Sequence, residues 1–390
     1  MLTARDGHLI WANSKALEIV GITKDTPNPA GGEIERDASG EATGIFKENA
    51  MAYFHAIESD PTLAESQAYM LEAMETTHQL GVTGLHSIEY SLGFAALQEL
   101  HAKNKLKLRT TVLLTNTAIP HLSALGIRQG FGDEMLWLGQ IKFFLDGTLG
   151  SQTAAMFEPF DHSLDCNCGI LRMDIEDFEK QTQQAVDAGF GIAVHVIGDR
   201  AARIGIEAIE KLRANNPTAR VRHRLEHVQI FKPEDMERIV KAKIIASVQP
   251  THCTSDIDNA DRYWGARASH SYQYKSMLNN GVRLALGSDV PIESIDPRKG
   301  IFAAITRRRE GDHRPSWYPQ ECLTVAEAVE GFTKGAAFAA GDEHRRGMIA
   351  PGYLADFTAF AQNVFVTNPD EIPVTPVTAT FVGGIPVYQS

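Results

Sequence analysis

The chain has 390 residues, 43% apolar and 22% charged, ordinary values for a globular protein with a real core and enough length for one large domain or two. Its 37 basic and 49 acidic residues leave a net charge of −12, which argues against phosphate-backbone binding and for a small-molecule partner, with no nucleic acid. Four cysteines without a Cys-x-x-Cys pair exclude a disulfide framework, and no apolar run approaches the roughly 20 residues of a membrane span, so a cytoplasmic chain without a membrane partner is expected.

The opening MLTARDGHLIWANSKAL has neither the basic region nor the continuous apolar run of a signal peptide. RDGHLIWANSKAL reads as a helix and PAGGEIERDASGEATG as a β-hairpin or long loop, which makes residues 1–58 a Gly-, Pro- and charge-rich N-terminal insertion segment. Thr62 and Glu65 form a capping box ahead of an Ala/Leu/Met-rich helix that runs to Leu80. Seven strand-like runs then alternate with helices: VTGLH (82–86), KLRTTVLL (107–114), IKFFLD (141–146), GIAVHVI (191–197), RHRLEHV (222–228), IIASVQP (244–250) and VRLALGSD (282–289). Helical periodicity covers the run from Asp174 to a terminating Gly189, then 199–214, 233–242 and 270–279; further helices start at Asp296-Pro297 and at the Thr324/Glu327 capping box.

Such alternation implies parallel strands with helical crossovers. No G-x-G-x-x-G follows the first strand and no Walker pattern is present, whereas His86, Asp146, His195, His227, Gln249 and Asp289 end almost every strand. Active sites gathered from several strand ends on one face are the mark of (β/α)8 barrels. The expected fold is therefore α/β, a TIM-like barrel over residues 1–346 that still needs an eighth strand. Residues 347–390 read as an appended β segment.

His195, near the end of GIAVHVIGD, is either a core histidine satisfied by carbonyls or a ligand or acid–base group at a strand end. Lys142 lies inside the apolar GQIKFFLD, where an ammonium costs several kcal/mol to bury. It is edge-exposed, paired with Asp146, or no longer a cation, for example carbamylated into a carboxylate ligand. Two histidines, His195 and His227, with Asp289 make a divalent metal site, zinc first, holding one or two ions. Asp289 can also serve as the general base. Cys166 and Cys168 are taken as an incidental loop feature.

The chain as a whole resembles the amidohydrolase superfamily, in the amidohydrolase 3 branch of the YtcJ-like proteins and N-substituted formamide deformylases. The motifs that carry the resemblance are RDGHLIWANSKAL (5–17), GGEIERDASGEATG (31–44), GVTGLH (81–86), IKFFLDGTLGSQTAAM (141–156), AVHVIGDRA (193–201), HRLEHVQ (223–229), SVQPTH (247–252), ALGSDVPIES (285–294) and PGYLADF (351–357). The resemblance implies a metal-dependent hydrolase with a TIM-like barrel and a small β-sandwich built from both chain ends, of which 347–390 would be part. It implies Lys142 as a carboxylated metal-bridging lysine, His195 and His227 as metal-binding histidines, and Asp289 as the catalytic aspartate. It suggests His8 as a pocket-lining residue, with a plain loop hydrogen bond as the alternative. His86 and His252 are read as substrate-facing candidates or as structural histidines.

The family's first barrel strand carries a His-x-His pair, and none occurs among the 14 histidines here. The RDGH segment, which lies well inside the family's chains, begins at residue 5. Together these lead to the expectation of an N-terminally truncated chain lacking barrel strand 1. The function expected is hydrolysis of a non-peptide C–N bond, an N-acyl or N-formyl amide, by metal-activated water. The alternatives are a catalytically impaired or non-catalytic truncated relative, and a one-metal lyase or isomerase on the same scaffold; a homodimer is left open.

Overall fold

The computed structural model describes residues 1–57, 60–163 and 166–390, so the boundary expected at residue 58 lies outside the described residues. The chain begins with a small antiparallel sheet of β1 (Leu2–Thr3), β2 (Leu9–Trp11), β3 (Gly32–Arg36) and β4 (Ala42–Glu48), ordered β1-β2-β4-β3, with α1 (Ser14–Val20) packed beside it. RDGHLIWANSKAL, expected as one helix, is divided. Ile10 pairs opposite Phe46 and points with it into a local core, so Leu9–Trp11 is held extended. The helix starts only after Asn13, whose side chain accepts the Ala16 N–H. GGEIERDASGEATG forms the β3–β4 hairpin.

Helix α2 (Leu63–Gln79), closed by the Thr62/Glu65 capping box, leads into the strand–helix alternation. It runs β5 (Gly84–Glu89), α3 (Ser91–Ala102), β6 (Arg109–Leu114), α4 (Ile119–Leu125), β7 (Leu136–Leu138), β8 (Ile141–Phe144), α5 (Ile175–Asp187) and β9 (Ile192–Val196). It continues through α6 (Asp199–Asn215), β10 (Arg224–His227), α7 (Asp235–Lys241), β11 (Ile245–Val248), α8 (Pro250–Tyr263), α9 (Tyr274–Asn279) and β12 (Arg283–Leu286). Helices α10 (Pro297–Thr306), α11 (Val325–Glu330) and α12 (Ala336–Ala340) follow. The helix expected over 270–279 forms only from Tyr274, because 265–270 is a 3-10 turn.

Strands β5, β6 and β7 pair in parallel, as do β8 through β12 in sequence order. Thr115, just past β6, bridges Lys142 in parallel, so β7 and β8 act as two halves of one strand interrupted at Gly139-Gln140. All seven expected strands are thus present; among the described residues β5 and β12 have no further strand neighbour. One face of this parallel layer is apolar: Phe143, Val194, Val196, Leu225, Ala246, Val248, Leu284 and Leu286 belong to the main core under the helices. Phe143 meets Phe178 of α5 edge-on at 5.6 Å. The opposite face carries the chemistry described below.

The C-terminal strands β13 (Phe357–Phe360), β14 (Val377–Val382) and β15 (Ile385–Gln389) form an antiparallel sheet of their own. It rests on α2 and the turn after it: the Thr380 hydroxyl donates to the His78 carbonyl at 2.7 Å, and Thr358 donates to the Gly81 carbonyl at 2.5 Å. The N- and C-terminal strands form two separate sheets. No described helix is long and apolar enough to cross a membrane.

The strap between this sheet and the parallel layer is ionic. Arg109 on β6, 1% exposed, sends Nε and Nη2 to the two oxygens of Asp356 at 2.6 and 3.0 Å. Removing one partner of a buried pair strands the other charge. Asp356→Ala is expected to lower stability by about 3–5 kcal/mol, measured by denaturant unfolding. A loss near that of a surface pair would show that the strap bears little.

Candidate active site

Parallel register arranges the polar face in rows. Phe144, His195, Glu226 and Ser247 stand side by side across β8 to β11, and the row beneath holds Lys142, Ala193 and Arg224. His195 is buried, and its Nε2 lies 3.0 Å from the Gly147 carbonyl, which fixes the proton on Nε2 and leaves Nδ1 without a protein partner among the described residues. Its ring sits 4.5 Å from that of His227 and 5.2 Å from that of His8. One ring nitrogen is thus satisfied by a carbonyl, and the ring lies within a cluster of imidazoles.

His227 ends β10 with φ +72, a conformation uncommon for a non-glycine residue. Its Nδ1 meets Gln249 Oε1 at 2.8 Å, so the lone pair falls on Nε2. Asp289, after β12, also has a positive φ, +60. His252, in the first turn of α8, stacks on His227 at 5.6 Å, and its Nε2 is 3.5 Å from Asp289 Oδ2. One ligand atom from each of His227, His252 and Asp289 lies within 4.8 Å of the others, the geometry of a group that could hold a metal ion.

Burial sets the electrostatics. It holds the pKa of His195 and His227 well below the ordinary value and brings His252 down to about 4, so all three are neutral imidazoles, the ligating form. Burial likewise pushes Asp289 up to about 6, against the pull of Lys142. Lys142 is driven down to about 8 by burial, opposed by Glu226 and Asp289, and its Nζ stands 4.7 Å over the Phe144 ring.

The Lys142–Asp146 pair raised as one alternative does not form, and Lys142 is not edge-exposed: it is 1% exposed, and no carboxylate oxygen lies within 4.0 Å of its Nζ among the described residues. Asp146 instead accepts the backbone N–H groups of Ala155, Ile197 and Gly198 at 2.8–3.1 Å and ties two loops together, while burial pushes its pKa up to about 8. His86 makes a structural hydrogen bond, one of the two roles expected of it. It lies within β5, which continues to Glu89, and Arg224 of β10 donates to its Nδ1 at 2.7 Å. That contact joins it to the charged row rather than to His195, His227 and Asp289. Cys166 and Cys168 belong to a loop and to no ligand cluster among the described residues.

The N-terminal sheet supplies a wall. His8 Nδ1 donates to Glu48 Oε2 at 2.8 Å, and Arg172 Nε reaches the same oxygen at 3.3 Å while its guanidinium lies over Phe144. Glu48 is buried with φ +53, and its Oε1 has no hydrogen-bond partner. A Cβ on Gly147 would stand 1.9 Å from that oxygen, so only glycine leaves it room. Arg5 and Asp6 hold the sheet in place: Arg5 reaches the Ile292 carbonyl and Glu293, while Asp6 accepts the hydroxyls of Thr148 and Ser151.

Glu48 and Arg172 were not singled out in the sequence. For Glu48 a signal exists: Gly44, Phe46 and Glu48 share one face of β4 by the period of two, which puts a carboxylate on the buried side. Arg172 sits in a loop, where no periodicity marks it.

The chain matches the amidohydrolase family over residues 1–388 and belongs to it. It is similar to the putative amidohydrolase YtcJ of Bacillus subtilis (strain 168), 33% identical over 395 residues that span 98% of this chain and 72% of that protein. It is also similar to N-substituted formamide deformylase of Arthrobacter pascens, at 25% identity over 98% of this chain and 72% of that one. Among solved structures, an uncharacterized metal-dependent hydrolase from Pyrococcus horikoshii OT3 superposes with a TM-score of 0.76 at 25% identity, covering 93% of this chain and 71% of that chain. The chain is thus a hydrolase-family α/β protein.

Gln249 holds the ring of His227 in the tautomer that leaves Nε2 free. Gln249→Leu is expected to weaken divalent-metal affinity by about 10–100-fold, read by isothermal titration of the metal-free chain with zinc. Unchanged affinity would mean that the ring is oriented without Gln249.

Proposed function

We propose that this protein is a metal-dependent hydrolase of non-peptide C–N bonds, acting on N-acyl or N-formyl amides at the cluster around His195, His227 and Asp289. The observation that carries this reading is a buried group of neutral imidazoles beside one carboxylate, with ring nitrogens that no protein group satisfies. That donor set suits a divalent cation, zinc first. His195, His227, Asp289 and Lys142 would hold one or two ions, Lys142 after its neutral amine adds carbon dioxide and loses a proton to become a carbamate. A bound ion would supply a Lewis acid for the carbonyl and a lowered pKa for water.

The chain's own residues do the rest. Asp289 takes the proton of the attacking water and returns it to the leaving nitrogen. His8, steadied by Glu48, lines the space for the acyl group. The scaffold we propose is a (β/α)8-type barrel, with the active face at the C-terminal ends of its strands. The His86–Arg224 contact, which brings β5 across to β10, supports that curvature. The name of the deformylase relative supports hydrolysis of a formamide, and the description of the Pyrococcus horikoshii structure supports metal dependence.

With an N-substituted formamide as probe and formate release as readout, Asp289→Asn is expected to lose at least about 100-fold in turnover. Chelation should abolish turnover and added zinc restore it. Activity retained by the variant would move the base elsewhere; activity retained after chelation would sink the metal reading.

One observation favours a second reading, a catalytically impaired chain: β5 and β12 each lack a strand neighbour among the described residues, leaving backbone N–H and C=O groups unpaired on both edges. On that reading the purified 390-residue chain holds at most one ion and turns over slowly. Metal analysis showing two ions per chain, with turnover in the usual range of about 1–10³ s⁻¹, would remove it.

A further inference from the structure

We infer that His252 is a further protein ligand of an ion held by His227 and Asp289. The inference rests on the metal reading above and adds a ligand to it. His252 is 7% exposed, yet neither Nδ1 nor Nε2 has a hydrogen-bond partner. A neutral imidazole offers one donor and one acceptor, and the large majority of buried side-chain polar atoms in native proteins have a hydrogen-bond partner. Both ring nitrogens of this residue are left over, and the ring is stacked on a second imidazole whose own Nδ1 is anchored by Gln249.

The spacing fits a shared cation. Two ligand atoms each about 2.0–2.2 Å from a tetrahedral ion stand about 3.3–3.6 Å apart. His252 Nε2 and Asp289 Oδ2 are 3.5 Å apart, and a ligand atom of His227 lies within 4.8 Å of both. His227 and Asp289 keep positive φ values of +72 and +60, the kind of backbone strain that gathers at ligand clamps. The end of β11 then has two tasks: Gln249 fixes the tautomer of one ligand, and the turn that opens α8 three residues later delivers another. His195 differs, since its Nε2 is taken by the Gly147 carbonyl.

The test uses cobalt(II) alone as probe, with the whole chain and no substrate. The wild-type chain is expected to bind cobalt with visible ligand-field absorption. His252→Ala should weaken binding by at least about 10-fold, alter that absorption, and recover the wild-type spectrum when free imidazole is added. His252→Gln, which keeps a polar side chain of similar length, should show the same loss should the alanine variant fold poorly. Variants that bind cobalt with the wild-type affinity and spectrum overturn the assignment and leave the metal reading standing. Weakened binding with an unaltered spectrum and no imidazole rescue also overturns it, since His252 then acts only on structure. A folded wild-type chain that binds no cobalt overturns both.

Discussion

The parallel register of β8 through β12 is the constraint on which the rest depends. A parallel ladder points every strand the same way, so all C-terminal strand ends, with the loops that follow them, arrive at one edge of the layer. Phe144 stands beside His195 and His195 beside Glu226, although these residues are far apart in the chain. A slip of one residue in β9 would turn His195 to the helix side and bring Val194 or Val196 to the polar face. Those valines lie under the helices in the main core, and their burial penalises the slipped register.

Burial then converts this arrangement into chemistry. Three imidazoles removed from water stay neutral, and a lysine and an aspartate in the same space have their pKa values driven toward each other, to about 8 and about 6. An apolar interior would have been simpler to fold. What stands here is a dense set of lone pairs and titratable groups, in which Glu226, beside His195, is paired at 2.5 Å with Arg224 of the row beneath. Perturbed groups of this kind collected at strand ends mark a candidate functional site.

The N-terminal sheet is more than an appendage. Its own small core of Ile10, Ala16, Ile34, Phe46 and Phe54 makes it rigid, and Arg5 and Asp6 fasten it to the loops after β8 and β12. Rigidity and fastening together let Glu48 press a carboxylate against Gly147 and hold both His8 and Arg172. The parallel layer supplies the ligand-like residues, and the sheet supplies a wall over them.

Local pattern was enough to reveal the seven parallel strands, the capping boxes at Thr62 and Thr324, the family, and the candidates His195, His227 and Asp289 at strand ends. Each of these depends on residues close in sequence, through period, cap or motif. The split of RDGHLIWANSKAL into strand and helix was hidden, because Ile10 is held extended by Phe46, more than thirty residues away. So was the role of Gln249, which was visible as a strand-end polar residue and acquires a partner only when β10 and β11 pair. Lys142 could be read as anomalous, but its neighbours could not: Asp146, four residues along the chain, turns to backbone amides, while Glu226 and Asp289 reach it through folding. His252 looked like a lone histidine after a strand, and it joins His227 and Asp289 only because α8 begins where β10 and β12 also end. Sequence period decides which face a side chain takes, and pairing across long separations decides what it meets there.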